Sequence, residues 1–180
     1  GEWQIQAMIE GCFQSHGSQW SYPSIVGGGD NATILHYHSN SNTVNEGELV
    51  LVDAGCEVDG YASDITRTWP VNGKFSDSQK EIYNLVLEAE LAGIAACKVG
   101  VPWNASHKAT MEVISKGLIE LGILDCSFDE AMGDDLDGKT RQFFMHGTSH
   151  SLGLDVHDVG VTRPGGKGDG RLLEEGMILT

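Results

Sequence analysis

Apolar residues recur every three or four positions near the start of the chain, at Trp3, Ile5, Met8, Ile9, Cys12 and Phe13. This spacing places them on one face of a helix, so we predict a helix over residues 2–16 that Gly17 ends. Residues 22–35 lack that period and are expected to form extended pieces around a glycine run. The run lacks the Lys-Ser/Thr pair of a phosphate-binding loop, so we do not expect it to bind phosphate.

Two longer helices are predicted in the middle of the chain. The first spans residues 77–98, starts at an N-cap at Ser76 or Asp77, and has an inward stripe of Ile82, Leu85, Val86, Ala89, Ala92 and Ala96. Asn104 can cap a second helix to about residue 121, with Val113, Ile114, Leu118 and Leu121 inside. Residues 125–140 are acidic and are expected to be a surface connection, and residues 162–171 a Gly/Pro-rich loop.

The short apolar run at residues 49–53 predicts a strand, and residues 56–69 continue it as a hairpin. Asp59-Gly60 suits a two-residue turn, because a type I′ turn needs positive φ at both positions. Val58 would then face Tyr61. Strands set among helices, without a regular βαβ order, indicate an α+β fold, which we expect to form one domain over residues 1–180.

The same register determines which side chains share a face of the hairpin. Asp53 would face Thr66 and Gly55 would face Asp64, so Asp53, Asp64 and Thr66 project to one side. The two aspartates become diagonal neighbours roughly 7–8 Å apart at the backbone, and Gly55 is expected to leave room there. Two such carboxylates repel unless a cation offsets their charge, and oxygen ligands suit harder divalent ions. Two ordinary solvated acids remain the alternative.

Three of the seven histidines, His146, His150 and His157, lie within twelve positions of one another. A glycine follows His146, so the segment is not the HExxH motif of zinc proteases. A group of histidines in an apolar segment favours a catalytic or metal site over a structural role. His36 is read from its spacing alone as an ordinary histidine at a strand end.

Composition excludes several classes of function. The formal net charge of −15 and the pI of about 4.6 argue against nucleic acid and anionic membrane surfaces as partners. No apolar run approaches the ~20 residues of a membrane span and no signal peptide is recognisable, so we expect a cytoplasmic protein. The four cysteines are widely spaced, which indicates buried free thiols.

Two long segments resemble motifs of one enzyme family. Residues 53–70 look like the two-aspartate motif of the pita-bread metallopeptidases, and residues 146–160 look like their histidine motif. The combination is most similar to aminopeptidase P, with prolidase next and methionine aminopeptidase more distant. The resemblance covers nearly the whole chain and implies the pita-bread fold, a curved antiparallel sheet flanked by helices.

The resemblance also implies a site with two divalent metal ions, Mn²⁺ before Co²⁺ or Zn²⁺. Asp53 would chelate one ion, Asp64 would bridge both, and His150 would bind the other. Tyr22 would support Asp64 from outside the coordination shell, and Thr66 is placed with it.

Three further histidines receive roles from the resemblance. His146 and His157 would stabilise the tetrahedral intermediate and hold substrate carbonyls without binding metal, and His36 would line the substrate pocket. The implied activity is that of an Xaa-Pro aminopeptidase, whose substrate is a peptide with proline at its second position. A dipeptidase, a metal-free relative such as creatinase, and a binding module are the alternatives, although the two aspartates disfavour the last two.

The sequence departs from the family pattern at its end. The family's last two ligands are glutamates whose motif should begin at Thr180, and Glu174 and Glu175 match neither. We therefore read the chain as a catalytic domain without its final strands and without the family's N-terminal domain. We expect it to be inactive by itself, to bind metal weakly, and to form a homo-oligomer that covers the exposed strand edges.

Overall fold

The computed structural model describes residues 1–163 and 168–180, which form two compact units. The first unit comprises Gly1–Asp77, Ser151–Val159 and Ile178–Thr180, and the second comprises Ser78–His150 and Gly160–Met177. The units are defined by their internal packing. A single catalytic domain over residues 1–180 stays a prediction.

Short antiparallel strands and one helix build the first unit. The helix is α1 (Glu2–Ser15), and the strands are β1 (Gln19–Trp20), β2 (Ile25–Gly28), β3 (Leu49–Ala54), β4 (Cys56–Val58), β5 (Tyr61–Ala62) and β6 (Ile65–Pro70). They pair into two three-stranded sheets, in the orders β1-β4-β5 and β2-β3-β6. The predicted first helix, strand and hairpin are thereby confirmed.

A small valine core holds α1 against the second of these sheets. Val26, Val50 and Val52 are buried, and Ile5 and Ile9 of α1 pack against them. Burial of each such side chain stabilises the fold by about 1.5–3 kcal/mol. Three of the apolar residues of the predicted helix face solvent instead: Trp3 is 49% exposed, Met8 is 76% exposed, and Cys12 is exposed as well.

The hairpin has the predicted register along its whole length. Asp59 and Gly60 both have positive φ, 52° and 82°, as a type I′ turn requires. Val58 pairs with Tyr61 and Asp53 pairs with Thr66. One unbroken register therefore runs through both sheets, from the turn to β3 and β6.

Gly55 lies where the hairpin passes from one sheet to the other. A Cβ at this position would lie 1.7 Å from the carbonyl oxygen of Ser63 and 2.8 Å from the Ser21 hydroxyl. No side chain larger than hydrogen fits this close backbone approach. The expectation that Gly55 leaves room for Asp64 was therefore wrong, because the space is taken by the Ser63 backbone.

Helices dominate the second unit. They are α2 (Asp77–Ala96), α3 (Ala105–Glu120) and α4 (Phe128–Met132). The core consists of Ala89, Ile114, Leu118, Leu124 and Ala131. The two predicted long helices are confirmed to within two residues at each end, and Asn104 is at the N-cap of α3, although its side chain donates to Asp169 instead of capping.

The inward face of α2 differs from the predicted stripe. Ala89 and Gly93 are buried, whereas Ile82 is 40% and Val86 52% exposed. Glycines select the face, because a Cβ at Gly93 would lie 2.7 Å from Thr110 and one at Gly117 would lie 2.2 Å from Leu85. Similarly, Leu121 at the end of α3 is 40% exposed instead of buried.

Residues 125–140 are more than the surface connection that was expected. Ser127 and Glu130 form a capping box that starts α4. Ala131 and Met132 of this helix are buried, and the Ser115 hydroxyl lies 3.3 Å from the Met132 sulfur. The acidic composition concealed two apolar residues that the helix turns inward.

Several smaller expectations from the sequence are corrected or left untested by the structure. The glycine run continues into a 3₁₀ helix, Gly29–Thr33, instead of remaining extended. The four cysteines are free, but Cys12 and Cys97 are exposed and not buried. Residues 164–167 of the predicted loop 162–171 lie outside the described residues. Among those described, no helix has the length and apolar character that a membrane span needs.

Candidate metal centre

Two carboxylates of the first unit meet at one tyrosine hydroxyl. Asp53 lies near the end of β3, Asp64 directly precedes β6, and Tyr22 lies between β1 and β2. The Tyr22 hydroxyl is within hydrogen-bonding distance of Asp53 Oδ1, and it lies 2.9 Å from Asp64 Oδ1. The predicted projection of both aspartates to one side is confirmed. Because a phenol has one proton, it can donate to only one of the two carboxylates at a time.

Without a cation, the doubly ionised form of the two carboxylates is disfavoured. Burial raises the pKa of Asp53, and the nearby charge of Asp64 raises it further, against hydrogen bonds from Tyr22 and Thr66. Burial and the two carboxylates also raise the pKa of Tyr22. The phenol therefore stays protonated at neutral pH and remains a donor to the aspartates.

The charge and the oxygen atoms of the two aspartates suit a divalent cation. A cation between the carboxylates would offset the repulsion that disfavours ionised Asp53. Oxygen ligands suit harder ions such as Mn²⁺. Within the described residues, no group of three or more His, Cys, Asp or Glu side chains is arranged to hold an ion. The pair by itself offers two carboxylate groups to an ion.

A row of three imidazoles lies elsewhere in the first unit. The His36 ring is 6.4 Å from that of His157 and 6.3 Å from that of His38, measured between centroids. His36 has a φ of 54° and lies in a turn, so it is not the strand-end residue that its spacing alone indicated. His38 did not figure in the prediction, although the alternation His-Tyr-His is visible in the sequence.

The remaining predicted histidines belong to the second unit. His146 is exposed, donates from Nδ1 to the Gly147 carbonyl at 3.0 Å, and meets the Phe144 ring edge-on at 5.8 Å. His150 is half-buried. The structure thus brings Asp53 and Asp64 together with Tyr22 and Thr66, and His36 together with His157. His146 and His150 belong to the second unit.

Sequence reasoning missed one buried carboxylate, that of Glu2. Its Oε1 accepts from Gly28 N at 2.8 Å and Asn31 Nδ2 at 3.0 Å, and its Oε2 accepts from the Tyr37 hydroxyl at 2.9 Å and Asn42 N at 2.8 Å. Burial acts to raise the pKa of Glu2, but these four hydrogen bonds together lower it. Glu2 therefore anchors the loop that carries His36. Nothing in its position in the first helical turn reveals this role.

Comparison with known proteins identifies the family. The model of metallopeptidase family M24 matches residues 1–180. The Xaa-Pro aminopeptidase of Escherichia coli K12 is 46% identical over 180 residues, and that of Haemophilus influenzae is 49% identical over 183. Each alignment covers 99% of this chain and 40% of the relative, so the chain spans well under half the length of these relatives.

Solved structures lead to the same family as the sequence comparisons. An aspartate-to-alanine variant of E. coli aminopeptidase P superposes with a TM-score of 0.91 at 45% identity, over 99% of this chain and 39% of that one. Pseudomonas aeruginosa aminopeptidase PepP gives 0.89 at 45% identity over the same shares. A zinc-substituted form of the E. coli enzyme has been solved with product. These matches confirm the α+β pita-bread fold, and the chain belongs to metallopeptidase family M24.

Proposed function

We propose that the protein containing this chain is a metal-dependent exopeptidase that cleaves the bond between an N-terminal residue and proline. The observation that carries the proposal is the pairing of Asp53 and Asp64 around the Tyr22 hydroxyl, since a metallopeptidase needs carboxylates held ready for an ion. Relatives named Xaa-Pro aminopeptidase at 46% and 49% identity favour this activity over that of a dipeptidase.

Asp53, Asp64 and His150 are the proposed ligands of two divalent ions, with Mn²⁺ preferred over Co²⁺ or Zn²⁺. Such ions, when bound, lower the pKa of a coordinated water and supply hydroxide near neutral pH. The support for Asp53 and Asp64 is their geometry and the raised pKa of Asp53. The support for His150 is its motif alone.

Tyr22 and Thr66 act on the carboxylates rather than on substrate. The Tyr22 hydroxyl donates to Asp53 or Asp64, which fixes the orientation of the aspartate that accepts the proton. Its raised pKa keeps that proton in place during turnover. Thr66 pairs with Asp53 across the sheet and donates a second hydrogen bond to it.

Histidines complete the proposed reaction. His146 and His157 hold the substrate carbonyl and stabilise the negative charge that develops on its oxygen. His36 lines the pocket beside His157, consistent with the 6.4 Å between their rings. The bond to proline has no N–H, so recognition has to come from a pocket shaped for the ring rather than from a hydrogen bond to that group.

An assay of the gene product that contains residues 1–180 tests the proposal. Peptides beginning Ala-Pro and Ala-Ala are compared after chelation and after Mn²⁺ is restored. We expect Mn²⁺-dependent release of alanine from the proline peptide alone. Cleavage that survives chelation, or equal cleavage of both peptides, would refute the proposal. The homo-oligomer and the cytoplasmic location stay predictions, and light scattering on this chain tests the former.

A further inference from the structure

The second unit contains a recess that none of the proposed catalytic residues explains. Its volume is about 290 Å³, and its lining includes Ser106, His107, Thr148, Ser149 and Arg163. Among the described residues, the lining includes one guanidinium group and no carboxylate. In a chain with a formal net charge of −15, such a lining is unusual and indicates which ligands the recess accepts.

The hydroxyl groups of the recess are not equally available. Thr110 donates to the His107 carbonyl at 2.8 Å, its oxygen lies 2.7 Å from the Thr148 hydroxyl, and the Thr148 oxygen lies 2.9 Å from His107 Nδ1. This closed series uses the protons of both threonines, and His107 Nδ1–H supplies the last donor. Ser149 is outside the series, and its Oγ is buried with no hydrogen-bond partner among the residues that the structure describes. A buried hydroxyl left in this state is costly unless a ligand accepts its proton.

Backbone donors also lie at the recess. Ser106 and His107 are in the first turn of α3, which has no side-chain cap. Among the described residues, their N–H groups have no hydrogen-bond acceptor. The first N–H groups of a helix carry partial positive charge and favour anions. The recess therefore offers several donors and few acceptors.

Positively charged side chains act on His107 in the recess. Burial lowers the pKa of His107, and the positive charges of Arg141 and Arg163 lower it further. Arg163 itself is exposed and forms no ion pair within the described part of the chain. Its guanidinium is available to a ligand at the mouth of the recess, where it can donate two parallel hydrogen bonds to an oxyanion.

We propose that this recess is a binding site for an oxyanion, a carboxylate or phosphate group, held by Arg163, the Ser149 hydroxyl and the first N–H groups of α3. A recess lined with donors favours a ligand rich in hydrogen-bond acceptors, as an ionised carboxylate or phosphate group is. The inference is independent of the peptidase reaction and of metal binding, because it uses residues that neither requires.

Amide NMR on the 180-residue chain tests the site with inorganic phosphate and acetate as probes, at constant ionic strength maintained with chloride. We expect saturable shifts of the Ser106, His107 and Ser149 amides. Shifts with phosphate alone identify a phosphate site, shifts with acetate alone a carboxylate site, and shifts with both a general oxyanion site. No saturable shift with either probe overturns the proposal, as does the same response to chloride.

Matched variants show which groups hold the anion. Arg163→Gln should weaken binding about tenfold or more, since it removes a charged donor, and Ser149→Ala about fivefold. Lys98→Gln removes an exposed cation from the same unit outside the recess and should change nothing. If Lys98→Gln weakens binding as much as Arg163→Gln does, the attraction is not that of a site and the proposal is wrong.

Discussion

Two carboxylate sites of the first unit differ in how their charge is balanced. Glu2 is fully buried, yet its pKa is lowered. Asp53 is only partly buried, yet its pKa is raised. Burial alone would have raised both pKa values, because it penalises the charged form of each group.

Hydrogen-bond donors explain the reversal. Four donors form hydrogen bonds to the two oxygens of Glu2. Together they use the acceptor positions that a carboxylate offers. Asp53 receives hydrogen bonds from the hydroxyls of Tyr22 and Thr66, and the first of these is shared with Asp64. The donors to Asp53 do not outweigh its burial and the neighbouring charge. A buried acid with all its donors in place is structural, whereas a paired acid whose pKa remains raised is a candidate site for a cation.

The largest effect is expected when one acid of the pair is neutralised. Asp64→Asn removes a proposed ligand, and since loss of a partner outside the coordination shell already costs 10–100-fold in affinity, we expect Mn²⁺ affinity to fall by about 100-fold or more. Peptidase activity of the full gene product should fall with it. Calorimetry and the Ala-Pro assay measure the two effects, with Glu46→Gln, an exposed acid, as the control. Full activity in Asp64→Asn would remove this residue from the ligand set.

Neutralising Glu2 should have a different consequence. In Glu2→Gln, an NH₂ group faces donors that a carboxylate oxygen had accepted, so the chain should lose about 3 kcal/mol of unfolding free energy. Glu10→Gln, on the same helix and hydrogen-bonded to Gln6, should cost less than about 0.5 kcal/mol. Urea unfolding of both variants measures the difference. Equal losses would show that the four hydrogen bonds to Glu2 have no special weight.

Tyr22→Phe tests the donor between the two aspartates. Loss of the hydroxyl removes a hydrogen bond that lowers the pKa of Asp53, so protons compete better with metal there. Mn²⁺ affinity should fall about tenfold, and more at low pH than at neutral pH. The matched control is Tyr61→Phe, whose side chain is 62% exposed on β5. An unchanged affinity would mean that Tyr22 does not orient the carboxylates.

Asp53→Asn should change stability in the direction opposite to Glu2→Gln. Without divalent ions, the substitution removes a disfavoured charge, so the chain should gain on the order of 1 kcal/mol at pH 7. Thermal unfolding in a chelating buffer measures this gain. A loss as large as that of Glu2→Gln would erase the distinction between the two sites.

Acid should bring the stabilities of the same two variants closer to that of the wild type, with the smallest of the expected effects. The pKa of Glu2 is lowered, so its contribution is complete above its ordinary value of 4.5 and is lost as pH falls through the folded-state pKa. The pKa of Asp53 is raised, so its contribution is present below its ordinary value of 3.8 and is lost as pH rises. On acidification, therefore, the deficit of Glu2→Gln and the advantage of Asp53→Asn should both shrink. A pH series of urea unfolding checks both signs.

Local chemistry made the pairing of the two aspartates predictable from the sequence. The Asp59-Gly60 turn fixes the register, and the register fixes which side chains share a face, so Asp53 and Asp64 followed from counting. Glu2 could not be found in this way, because its partners lie 26 to 40 residues away in a loop with no regular period.

The helices show the same limit of prediction from local sequence patterns. The apolar positions of α2 allow more than one inward face, and the choice depends on Gly93 and Gly117, which let α2 and α3 approach closely. Ala131 and Met132 were missed because an acidic segment hides a short helix. The spare hydroxyl of Ser149 is likewise visible only once its neighbours are placed.

Thermal unfolding with and without millimolar Mn²⁺, on the wild-type chain and on Asp64→Asn, tests the cation site most directly. An ion at about ten times its dissociation constant stabilises the folded state by about 1.4 kcal/mol, which raises the Tm of a chain of this size by about 3 °C. We expect that rise in the wild type and none in Asp64→Asn. No rise in the wild type, or the same rise in both, would contradict the assignment of this pair as a cation site.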